Sequence, residues 1–106
     1  MPKYLVQANY VGEGLRGLLK EGGSSRRAVI EKLYQSVGGR VEAFYYAFGD
    51  TDLFVIGDVP DNVSAAALSL IVNAAGAATV KVTVLLTAEE IDAAAKKTAT
   101  YRPPGQ

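Results

Sequence analysis

The chain has 106 residues, with eleven Lys plus Arg against eleven Asp plus Glu, and neither cysteine nor histidine. That length suits one domain, and the balanced charge gives no basic excess to draw in nucleic acid or anionic lipid. The missing cysteines and histidines exclude disulfides, thiolate nucleophiles, iron–sulfur ligation, the usual zinc sites and histidine-based catalysis. Any chemistry must rest on Asp, Glu, Tyr, Lys, Arg, Ser or the backbone, or on a bound cofactor.

The first ten residues, MPKYLVQANY, contain no apolar run of signal-peptide length and read as a strand. A cytoplasmic protein is expected. From Tyr4 to Tyr10 the pattern alternates, with Val6 and Ala8 on one face and Leu5, Gln7 and Asn9 on the other. The stretch GEGLRGLLKEGG is glycine-rich and predicts no more than a short helical turn. Ser24 or Ser25 offers an N-cap. Val29, Ile30, Leu33, Tyr34 and Val37 then follow at helical spacing, and Gly38-Gly39 ends that helix.

Val41 to Phe48 predicts a second strand, rich in aromatics, and Leu53 to Val59 a third. Pro60 closes it, and Asp61 or Asn62 caps the next helix, whose buried stripe is Leu68, Ile71, Val72 and Ala75. Gly76 ends the helix. The Ala-rich stretch is too short and too interrupted to span a membrane. Thr79 to Leu86 alternates strictly. Thr87 and Glu90 form a capping box that opens a last helix to about Lys97, and Pro103-Pro104 stops any continuation. The order is β-α-β-β-α-β plus a terminal helix. That is the α+β, ferredoxin-like sandwich pattern, with residues 1–98 as the single domain and 99–106 as a tail, either disordered or an arm over a partner subunit.

The segment FGDTDLFVIGDVPD holds four aspartates. Asp50 and Asp52 belong to a hairpin turn and Asp61 to a helix cap. Asp58 lies inside a strand, where aspartate is disfavoured. Its face depends on the hairpin register. A loop of even length places it with Ala43 and Tyr45, one of odd length with Glu42, Phe44 and Tyr46. The odd loop, bulged near Gly49, is preferred because it puts the small residues Ala43, Ala47 and Gly57 under the helices. Phe44, Tyr46, Phe48, Phe54 and Ile56 then line the other face, beside Gln7, Asn9, Lys81 and Thr83. An apolar sheet face of that size marks an interface, most simply with a second copy of the chain.

These residues carry a resemblance to a known family. YLVQANY, GGRVEAFYYAFGDTDLFVIGDVPD, the Ala-rich helix and VTVLLTAEEI are similar to the GYD-domain proteins, small bacterial proteins of the dimeric α/β-barrel type. Gly49 and Asp52 match the Gly-x-Tyr-Asp turn that gives the family its name, whereas Thr51 stands where tyrosine is usual. The resemblance implies two sheets facing each other across a barrel, in a homodimer or larger homo-oligomer. It implies no established activity.

Three functions compete. A binding module would hold a small apolar or amphipathic molecule between the sheets, with Gln7, Asn9, Phe44, Tyr46, Asp58, Lys81 and Thr83 as contact residues. A cofactor-independent enzyme, monooxygenase- or isomerase-like, would exchange a proton at Asp58 or Tyr46. A structural dimerisation domain would fill the barrel with its own side chains. No catalytic residue is assigned, and no cofactor, metal, nucleic acid or membrane is expected. Lys81 or Asn9 is the expected partner of Asp58. Arg26-Arg27 is read as a solvated helix face, with anion binding at the helix N-terminus as the lesser alternative.

Overall fold

A computed structural model describes residues 1–106. Strand β1 (Lys3–Tyr10) leads into α1 (Gly12–Glu21) and α2 (Gly23–Ser36). Then come β2 (Arg40–Tyr46), β3 (Leu53–Asp58), α3 (Asn62–Ala75), β4 (Ala78–Leu85) and α4 (Ala88–Ala95). The four strands form one antiparallel sheet in the order β2-β3-β1-β4, so the architecture is α+β.

Local chemistry explains most boundaries. Asp61 caps α3 by accepting a hydrogen bond from the Ser64 N–H at 2.8 Å. Gly76 ends that helix at φ 81°, a left-handed conformation costly for a residue with a Cβ. Thr87 and Glu90 form the expected reciprocal capping box of α4. Two expectations fail here. The glycine-rich segment is a ten-residue helix, α1, and not a single turn. The N-cap of α2 is Gly22, with no side-chain hydrogen bond, and not Ser24 or Ser25.

The core lies between one sheet face and helices α2 and α3. Tyr4, Ala8, Leu53, Val55 and Phe44 meet Tyr34 of α2 and Ala65 and Leu68 of α3. Gly57 lets the Tyr34 ring of α2 lie close on the sheet. A Cβ there would stand 3.0 Å from the Arg40 carbonyl oxygen and collide with the Tyr34 ring.

The hairpin register differs from expectation. Tyr46 pairs with Leu53, Tyr45 with Phe54, Phe44 with Val55 and Ala43 with Ile56, after which the register shifts and Val41 pairs with Gly57. The irregularity is therefore at Glu42, within β2, and not near Gly49. Gly49 has no positive φ and open space where a Cβ would go. The connection between Tyr46 and Leu53 is of even length, and it leaves Phe44 and Tyr46 on the helix face and Ala43 and Tyr45 on the open one, while the Glu42 bulge puts Val41 opposite Gly57 and Arg40 beside Asp58. Burial of aromatic area explains the choice, because Phe44 and Tyr46 cover the N-terminal half of α2 in a way that alanine could not. Their rings meet edge to face at 5.2 Å, and the Tyr46 hydroxyl donates to the Gly23 carbonyl at 3.0 Å.

Helix α4 and the residues after it are exposed throughout. The molecule measures 57 × 33 × 23 Å with a radius of gyration of 17.0 Å, against about 13 Å for a compact domain of this length.

Candidate functional site

The open sheet face carries the candidate site. Register sorts its residues into rows that cross β4, β1, β3 and β2. One row is Lys81, Gln7, Phe54 and Tyr45; the next is Thr83, Leu5, Ile56 and Ala43; the last is Leu85, Lys3, Asp58 and Arg40. The middle row is apolar except for Thr83. No helix lies over these rows, since α2 and α3 both pack on the opposite face.

Of the residues singled out from sequence, Gln7, Asp58, Lys81 and Thr83 share this face. Asn9 follows at its edge, where its side-chain oxygen accepts from the Asp52 N–H at 3.0 Å. Phe44 and Tyr46 do not belong to it. They are core and helix-facing residues, because the even-length hairpin loop pairs them with Val55 and Leu53. Phe48 is fully exposed at the hairpin tip. Leu5 and Tyr45 line the face as well. Tyr45 was missed because only the register separates it from its neighbour Tyr46.

Asp58 is buried, and its partners are neither Lys81 nor Asn9. Lys3 Nζ donates to Oδ1 and Arg40 Nε to Oδ2, each at 3.0 Å, while Lys3 also reaches Glu42 at 3.0 Å. The physical reason is again register. Lys3 and Arg40 are the direct cross-strand neighbours of Asp58 on either side, the positions from which side chains meet. The Lys3 hydrogen bond first, and then that of Arg40, hold the Asp58 carboxyl below the usual carboxylate range against the opposing effect of burial. The bond to Asp58, and then the bond to Glu42, raise the pKa of Lys3. A carboxylate so held accepts a proton poorly near neutral pH, and its geometry is that of a structural clamp.

The turn residues Gly49 and Asp52 have unequal roles. Asp52 accepts from the Tyr10 N–H through Oδ2 at 2.9 Å, and its own N–H is shared between the Ala8 carbonyl and Asn9. It ties the β2–β3 connection to the end of β1. Gly49 makes no comparable contact with its surroundings. No group of acidic residues in the structure could hold a metal ion.

This chain belongs to the GYD-domain family, whose model matches residues 4–95. No curated protein and no solved structure matches it. No helix is long and apolar enough to cross a membrane.

Proposed function

We propose that the protein is a cytoplasmic, homodimeric binding module with a ferredoxin-like fold. Two copies set their open sheet faces together as a dimeric α/β barrel that holds a small apolar or amphipathic molecule. The observation that carries this reading is the uncovered row of Leu5, Ile56 and Ala43, flanked by Phe54, Tyr45 and Leu85. Burying these side chains against a second copy would remove from water a face that no part of the chain covers. A two-fold operation brings the same rows against each other. Gln7, Thr83 and Lys81 stand among the apolar groups as the few polar contacts that would orient a ligand. Binding is favoured over proton transfer at Asp58, because that carboxylate is already neutralised by Lys3 and Arg40.

The test is Ile56→Lys, read by sedimentation equilibrium beside the wild type. The wild type is expected to be dimeric. The variant is expected to be monomeric or unfolded, because lysine would be buried without a counter-charge. A stable dimer of the variant would move the interface elsewhere. Native mass spectrometry of protein purified from its host reads ligand retention separately, as mass beyond the subunits.

A further inference from the structure

The opposite side of the sheet carries a second apolar surface that the dimer leaves free. Helices α2 and α3 both lie on it but do not close over it. Between them a cleft of about 220 Å³ opens onto the sheet, floored by Val6, Val55 and Val80 and walled by Ile30, Leu33 and Val72.

The two ends of the cleft differ in chemistry. Arg26 is at one end and Tyr34 at the other, separated by eight residues of helix, or about 12 Å. Tyr34 is 5% exposed. Burial pushes its hydroxyl up to about 12, with no hydrogen bond to offset it. At the other end burial raises the pKa values of Tyr10 and Tyr46, and the Arg26 guanidinium near their hydroxyls offsets only part of that rise. The start of α2 adds to the positive potential. It has no side-chain cap and no acidic residue in its first turn, so its first N–H groups are open to an anion. The ion-pair partner of Arg26 is Glu21, 3.6 Å away and partly exposed to solvent, a pairing weak enough to exchange; Asp52 also acts on the Tyr10 hydroxyl, but its carboxylate is held by the Tyr10 N–H.

We infer that this cleft binds a straight-chain amphipathic carboxylate of medium length, its head on Arg26 and the start of α2 and its tail between α2 and α3. The argument is charge complementarity at one end of a groove that is otherwise aliphatic. A cation would meet Arg26, and a neutral alcohol would leave Arg26 on Glu21.

The experiment is calorimetric titration of the full chain with octanoate, and with octanol and octylamine as matched controls. Octanoate is expected to bind at least tenfold more tightly than either control. Arg26→Gln is expected to remove that preference while leaving octanol unchanged. Glu21→Gln is expected to tighten octanoate by freeing Arg26. Val72→Phe, which fills the cleft, is expected to abolish octanoate binding without lowering the melting temperature. Failure of the wild type to bind octanoate, or equal binding of octylamine, overturns the inference. So does an Arg26→Gln variant that is folded and still prefers the acid. If octanoate binds only after Ile91→Asp, the cleft is occupied by α4 of another copy, and the small-ligand assignment is wrong. None of these outcomes involves the open sheet face, so the sheet-face dimer stands or falls separately.

Discussion

Asp58→Asn separates a clamp from a bystander. Asparagine keeps one acceptor oxygen but puts an NH2 group where the other oxygen met a cation, so one of the two 3.0 Å bonds, to Lys3 or to Arg40, becomes a donor facing a donor. A hydrogen bond to a charged group contributes about 1.5–3 kcal/mol. The carboxylate is 6% exposed, but the Arg40 side chain is 70% exposed and Lys3 36%, which screens the interaction. A loss of about 1–2 kcal/mol follows, or a fall in Tm of about 5–15 °C for a domain of this size. Thermal unfolding followed by circular dichroism at pH 7 measures it. The pH dependence adds a second readout. The Asp58 pKa is depressed in the folded chain, so its contribution is complete above the unfolded value of about 3.9 and is lost as pH falls through the folded value. The gap between wild type and variant should therefore hold at pH 5–7, shrink below about pH 4 and close once Asp58 is protonated in both states. Equal melting temperatures at pH 7, or a gap that survives undiminished at pH 2, would refute the clamp.

Two further substitutions test the register. Gly57→Ala should destabilise by about 1–3 kcal/mol, the range for overpacking a filled core, because its methyl group would press on Tyr34 and the Arg40 carbonyl; chemical denaturation with an unchanged slope and a lower midpoint would show it. Gly49→Val, by contrast, should change stability by no more than about 0.5 kcal/mol, since its φ is negative and its surroundings are open; a large loss in the same assay would place the hairpin bulge there after all.

How far the chain can be read depends on the range of the determinant. Caps are local, so Asp61, Gly76 and the Thr87–Glu90 box could be placed from neighbours three or four positions away. Alternation is nearly as local, and β1 and β4 show it plainly. Helix α1 was obscured by Gly12, Gly14 and Gly17, which lower helix propensity without forbidding the helix. The hairpin register was lost for a different cause. The number of residues left unpaired in the hairpin loop leaves no mark in composition, yet its parity decides which of two adjacent tyrosines, Tyr45 or Tyr46, joins the site. Pairing also hid the partners of Asp58. Lys3 is 55 residues away in sequence, and only the antiparallel alignment of β1 with β3 makes them neighbours. The cleft between α2 and α3 depends on how far two helices stand apart, which periodicity does not report.

Asp52 and Asp58 bracket β3, and each is bound to an opposite end of β1, at Tyr10 and at Lys3. Together they work as a two-point gauge on the central pair of strands. A slip of two residues would keep every side chain on its proper face and cost little in apolar burial. It would, however, pull both carboxylates off their donors at once. Hydrophobic patterning cannot distinguish these near-native alignments, and the two end-fasteners can. Both join positions more than forty residues apart in sequence, so they act on the alignment only where the strands have already been brought together.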